Sequence, residues 1–202
     1  MAESKRSEST HIYLLSFILP MVVLTTMFVG DWATSLGIII PLTLYPLLDV
    51  FFSIRENPLP SRQHPAYLEW IPALHVIFQL VILATLFKLA NTDGSVWTTW
   101  AAAISCGFCA GISGIVPAHE LGHYVWGPRR WLANVMMQAV AYPHFTQEHN
   151  RNHHRYVAMN RDGASAPLGR GFWKHLVVTI PLQWLSIHRE MSRKFPGIRN
   201  PV

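Results

Sequence analysis

Charge is what this sequence has least of. Only 13% of its 202 residues are charged, while 50% are hydrophobic; a typical soluble domain carries about 25% charged residues. The scarcity is also local. From Ser9 to Leu48 the one formal charge is Asp31, and from Gln63 to Pro117 there are only Glu69, Lys88 and Asp93. Spans this empty of charge describe a chain dissolved in lipid rather than in water. Acidic residues are in deficit, 11 against 16 Lys and Arg. The basic ones form no stripe of the kind that follows a phosphate backbone, so nucleic acid is not an expected partner. Cysteine is nearly absent too. Cys106 and Cys109 both fall inside an apolar stretch, which excludes a disulfide scaffold. A thiolate is disfavoured in lipid, so their CxxC spacing is not expected to carry redox chemistry. Gly107, Ala110, Gly111 and Gly114 around them read as a small-residue face for close helix packing.

Long hydrophobic runs stand where the charge is missing. A bilayer core about 30 Å thick takes roughly 20 residues of helix to cross, and four runs approach that length, near 12–29, 32–52, 70–90 and 96–117. The expected fold class is all-α, a polytopic membrane helical bundle. Residues 1–117 would form its transmembrane region and 118–202 a cytoplasmic or interfacial region. Pro20, Pro41, Pro46 and Pro72 fall in or beside the runs; membrane helices tolerate proline, and kinks are expected there. The first run is too long for a signal-peptide core and is followed at once by another, so it is expected to be retained. Lys5 and Arg6 precede the first run, Arg55 and Arg62 lie between the second and third, and 11 of the 16 basic residues follow Pro117. Because Lys and Arg collect on the cytoplasmic side, both ends of the chain are expected there. Two shorter apolar runs, 131–143 and 172–187, carry Trp131, Trp173 and Trp184 with flanking bases, and read as helices in or near the membrane interface.

Histidine is concentrated beyond Pro117, with 8 of the 11 in the last 85 residues. His119-Glu120-Leu121-Gly122-His123 places two imidazoles one helical turn apart on one face, the spacing a metal needs to take both. Glu148-His149-Asn150-Arg151-Asn152-His153-His154 repeats that spacing at His149 and His153, and His154 adds a donor on an adjacent face. Neutral imidazoles suit Fe, Zn or Cu. His175 and His188 stand alone and read as interfacial.

These two motifs resemble the first two histidine boxes of the bacterial integral-membrane alkane hydroxylases and xylene monooxygenases, within the wider membrane fatty-acid desaturase and hydroxylase superfamily. Pro46-Leu47-Leu48-Asp49, Asn57-Pro58 and Tyr142-Pro143-His144-Phe145 extend the likeness over most of the chain. The resemblance implies a bacterial inner-membrane enzyme with a non-haem di-iron centre, O2 as oxidant, and electrons from rubredoxin and its NADH-dependent reductase. It would hydroxylate a terminal methyl of an alkane or alkyl-aromatic drawn from the bilayer. Carried over residue by residue, it implies that His119, His123, His149, His153 and His154 are metal ligands. Glu120 and Glu148 match conspicuous box positions whose spacing does not decide between touching metal and orienting a ligand, with the orienting role favoured; His144 and Asp49 also match positions in the pattern, Asp49 as a carboxylate able to orient a ligand imidazole. Arg129, Arg130, Arg151 and Arg155 could offer a basic surface to an acidic rubredoxin.

The family carries further spans, an isolated histidine and a third HxxHH box that are not found before Val202. The resemblance therefore implies an amino-terminal half, and five histidines fill one iron's sphere but not two. Three other readings stand beside the hydroxylase. An acyl-chain desaturase or hydroxylase of the same superfamily shares the boxes. An intramembrane zinc metalloprotease would use HExxH with Asp162 as a late carboxylate, leaving the second cluster without a role. An inactive fragment or a non-enzymatic metal-binding membrane protein would need no third box.

Overall fold

The computed structural model of the chain describes residues 10–51 and 66–194, and these are helical wherever they are regular; among the described residues there is no strand. Lys5, Arg6, Arg55, Arg62 and the Asn57-Pro58 pair lie outside the described residues. The chain divides into two compact units after Leu121.

The first unit holds the apolar runs. A 3-10 segment, Thr10–Phe17, leads into helix α1, Ile18–Val29. Gly30, at φ +79°, ends α1 and returns its N–H to the Thr26 carbonyl at 2.9 Å, a backbone conformation that glycine adopts without strain. A 3-10 turn, Asp31–Ser35, then α2 (Leu36–Ile39), a π-helical turn (Ile40–Leu44) and α3 (Tyr45–Phe51) make up the second apolar segment. After a 3-10 turn at Ala66–Trp70 come α4 (Ile71–Asp93) and α5 (Trp97–Cys109), the latter continuing through a π-helical turn (Ala110–Ile115) into α6 (Val116–Leu121). Asp31–Phe51, Ala66–Asp93 and Trp97–Leu121 are long and apolar enough to cross a membrane, and Tyr13–Val29 is a shorter apolar helix. The chain is a multi-pass all-α membrane protein.

The prolines act differently from one another. Pro41 sits in the π-helical turn, a recognised cause of helix bending. Pro72 falls instead in the first turn of α4, where its missing N–H has no partner to lose and no kink follows.

Lipid tails are as apolar as leucine, so helices in a bilayer are held by close packing and polar contacts rather than by water exclusion. Leu19, Val23 and Met27 recur along one face of α1 and pack in one buried cluster with Ile82 of α4 and Ala102, Cys106 and Cys109 of α5. The closest approach is at Gly37. A Cβ there would lie 2.6 Å from Ser105 Cβ and 2.7 Å from Val23 Cγ2. Ser105 Oγ donates to the Thr34 carbonyl at 2.6 Å across the same gap. The small-residue face expected at 107–114 is split: Ala110 and Gly114 are buried, whereas Gly107 and Gly111 are exposed and a Cβ at either would meet no neighbouring atom within 4 Å.

The second unit contains α7 (Pro128–Ala139), α8 (Phe145–Glu148), a π-helical turn (His149–His153), α9 (His154–Tyr156) and the long α10 (Phe172–Lys194). Gly127 at φ +100° and Pro128 in the first turn start α7, the proline pre-set for that position. The Tyr142 hydroxyl donates to Gln183 Oε1 of α10. Thr179 Oγ1 donates to the Gly163 carbonyl at 2.7 Å.

Candidate metal centre

Four of the five sequence-expected ligands gather in the second unit, and the backbone explains how. In an α-helix, residues five apart point to different sides, so His154 was expected beside the His149–His153 face rather than on it. The wider π-helical turn at His149–His153 rotates the chain less per residue, a feature that recurs at functional sites. His149 consequently meets both neighbours: its ring centroid is 5.2 Å from that of His153 and 4.4 Å from that of His154. His149 Nε2 and His154 Nε2 share a hydrogen bond at 2.9 Å. His123 adds its ring edge-on, with centroids 5.3 Å from His149 and 5.1 Å from His154. His119 stands half-buried on the last turn of α6, in the first unit.

Carboxylates and amides brace this group. His153 Nδ1 donates to Asp162 Oδ2 at 2.8 Å, which leaves Nε2 as the nitrogen turned away from the carboxylate. Asp162 is buried and also accepts from Ser165 Oγ at 2.5 Å and from the Ala164 N–H at 3.0 Å. Burial alone would raise its pKa. The hydrogen bonds from Ser165, Ala164 and His153, with the charge of His153, outweigh that and hold the carboxyl below its ordinary value. Glu148 is 1% exposed and accepts from Asn152 Nδ2 at 3.0 Å. Burial pushes its carboxyl upward, Asp162 adds to the rise, and Asn152 and His153 counter it. Asn150 Nδ2 donates to the Gly122 carbonyl at 2.7 Å, tying the second histidine segment to the residue before His123.

The other expected residues sit apart. His144 packs edge-on against the Tyr142 ring at 4.7 Å, and burial lowers its pKa. Glu120 is exposed on α6, and Asp49 is exposed on α3. His188 stacks on Trp184 of its own helix at 5.2 Å. Each of the four arginines has a partner. Arg130 is half-buried and donates to the Gly122 carbonyl. Arg151 pairs with Glu190 at 3.2 Å. Arg129 donates to the Tyr124 hydroxyl, and Arg155 lies over the Tyr156 ring at 5.3 Å.

Asp162 is the residue whose contact with His153 the sequence did not disclose. A carboxylate nine positions beyond its histidine, across turns that include Ala158 at φ +64°, carries no periodic signal. The Asp-Gly pair at 162–163 marks only the turn.

The chemistry of the donor set fits a transition metal. All the converging donors are imidazoles, one of them backed by a carboxylate. A nitrogen–nitrogen separation of 2.9 Å is what two ligands about 2.0–2.1 Å from one ion span when they meet it near a right angle.

Residues 95–197 match the family model described as fatty acid desaturase. The chain is 30% identical over 186 residues to an alkane 1-monooxygenase of Ectopseudomonas oleovorans, 30% identical to one of Pseudomonas putida, and 26% identical to alkane 1-monooxygenase 1 of Alcanivorax borkumensis. Each match covers 85% of this chain but 45% of the relative. The chain spans about half the length of the curated relatives it matches.

Proposed function

The chain belongs to the fatty acid desaturase family, and from that membership we propose that it supplies the first two histidine boxes of a membrane non-haem di-iron monooxygenase. The reaction is hydroxylation of a terminal methyl on an alkane or alkyl-aromatic with O2, using electrons delivered by rubredoxin and its NADH-dependent reductase. The observation that carries this reading is the convergence of His123, His149 and His154 with a carboxylate-backed His153. His119 joins them on the strength of its spacing from His123 in HELGH. Similarity to proteins named alkane 1-monooxygenase supports the choice of substrate class.

Iron, when bound, supplies the activation of O2 that no acid or base side chain can provide for an unactivated C–H bond. The residues of this chain bind, orient and exclude. Asp162 fixes the tautomer of His153 and keeps Nε2 available as a donor. Asn152 holds the Glu148 carboxyl beside the same turn, and Asn150 anchors the turn to Gly122. The apolar helices of the first unit keep water from a hydrocarbon that the bilayer already concentrates. We assign both ends of the chain, and the unit after Leu121, to the cytoplasmic side of the inner membrane. The 11 basic residues beyond Pro117 support that orientation.

The complete enzyme carrying this sequence, reconstituted with rubredoxin, reductase and NADH, tests the reading. A primary alcohol formed with O2 consumption and iron in the protein supports it; no O2 uptake by the iron-loaded enzyme sinks it. The description of the matching family model favours one second reading, an acyl-chain desaturase or hydroxylase, which the same assay separates by an unsaturated or hydroxylated acyl product.

A further inference from the structure

Helix α4 carries two polar side chains into the apolar interior of the first unit. His75 is 4% exposed and Gln79 is fully buried, and, four residues apart, they lie on one face of the helix. Ionisable and polar side chains in a membrane segment turn to the bundle interior and pair there or mark a site. Each of these two is only half satisfied. His75 stacks on Phe17 with ring centroids 4.0 Å apart, and its Nε2 meets Ser16 Oγ at 2.8 Å. The Ser16 hydroxyl donates its one hydrogen to the Tyr13 carbonyl at 2.6 Å, so toward His75 it accepts, and Nε2 carries the proton. A neutral imidazole then keeps a lone pair at Nδ1. Gln79 Nε2 donates to the Cys106 carbonyl at 3.4 Å and to Cys106 Sγ at 3.5 Å; the reversed amide would set oxygen against that carbonyl, which fixes its orientation. His75 Nδ1 and Gln79 Oε1 are buried, and neither has a hydrogen-bond partner among the described residues. Both are acceptors. Buried polar atoms are almost always paired, and the bilayer core holds no bulk water to pair them.

We propose that His75 and Gln79 form a hydroxyl-binding site inside the helix bundle, where one hydroxylic molecule, water or a primary alcohol dissolved in the bilayer, donates to His75 Nδ1 and Gln79 Oε1. Water gives one hydrogen to each acceptor; an alcohol shares its single hydrogen between them. The charge around the pair selects a neutral donor. The segments that supply its contacts, Thr10–Phe17 and α5, hold no acidic residue, and α4 has none before Asp93 at its far end, so a cation would meet no counter-charge there. Two lone pairs repel an anion. A purely hydrocarbon ligand would leave both acceptors unpaired, at a cost that a hydroxyl removes. This inference stands on the first unit alone and does not depend on the proposed reaction.

The test is solid-state NMR of the full chain in phosphatidylcholine vesicles, isotope-labelled at its histidine nitrogens, with the His75 signals assigned by their loss in His75→Phe or His75→Gln. Nδ1 should be unprotonated and shifted as a nitrogen that accepts a hydrogen bond. Magnetisation transfer from water to Nδ1, persisting when n-dodecanol is added to the vesicles, supports the site with water as its ligand. A dipolar contact from Nδ1 to dodecanol carrying a carbon label next to its hydroxyl, gained as the water transfer is lost, supports it with an alcohol. In either case Gln79→Leu should remove most of the transferred signal, and Gln79→Met repeats the measurement should the first variant misfold. An Nδ1 that receives nothing from water and makes no contact with the labelled alcohol overturns the proposal. So does a ring protonated at both nitrogens, because Nδ1 would then donate rather than accept. Transfer unchanged in both Gln79 variants overturns the part assigned to Gln79.

Discussion

His149 and His154 face each other through their Nε2 atoms at 2.9 Å although five residues separate them. The π-helical turn makes them a pair, and their separation matches two ligands of one ion. If they act as one unit, their replacements are not additive. His149→Ala, His154→Ala and the double variant should each lose most of the bound iron, with the double little worse than either single. Iron content per folded protein measures this, and a double variant whose deficit equals the sum of two partial ones would separate the two residues.

Asp162 acts through His153. Partners of this kind typically cost roughly 10–100-fold in metal affinity when removed. Asp162→Asn should therefore weaken metal binding by that order while the protein still inserts in the membrane and keeps its helical content. Cobalt titration followed by its visible ligand-field bands gives the affinity without reference to turnover. Unchanged affinity in a folded Asp162→Asn protein would reduce the contact to a loop brace.

What the sequence disclosed and what it concealed have separate physical causes. Lipid imposes length and apolarity on every crossing segment, so the long helices ending at Phe51, Asp93 and Leu121 follow from hydropathy to within a few residues. The i, i+4 spacing of His149 and His153 likewise needs only helix geometry. The π-helical turns at 40–44, 110–115 and 149–153 depend on which carbonyl each N–H selects, and no residue type dictates that choice. The Asp162–His153 contact and the pairing of Arg151 with Glu190 join residues that no sequence spacing relates.

The contact at Gly37 predicts a steep steric cost. A methyl group placed 2.6 Å from Ser105 Cβ and 2.7 Å from Val23 Cγ2 must push α2 away from its neighbours, which typically costs about 1–3 kcal/mol. Gly37→Ala should lower the thermal midpoint of the detergent-solubilised protein. Gly111→Ala, which meets nothing within 4 Å, should be neutral or gain up to about 1 kcal/mol from helix propensity. Similar midpoints for the two variants would mean that the helices do not meet closely at Gly37.

The anchoring of α10 can be broken at a single oxygen atom. Gln183 is buried, accepts from Tyr142 and donates to Thr179 Oγ1 at 3.3 Å. Tyr142→Phe removes the donor and leaves a buried carbonyl oxygen without it, at a cost of about 1–3 kcal/mol. Tyr142→Phe with Gln183→Leu removes both partners and should recover much of that loss, because no polar atom is then left unpaired. Limited proteolysis should cut between 157 and 171 faster in the single variant than in the parent, and the double variant should fall between them. If the single variant resists protease as the parent does, Thr179 donating to Gly163 and Arg151 paired with Glu190 are sufficient to hold the helix.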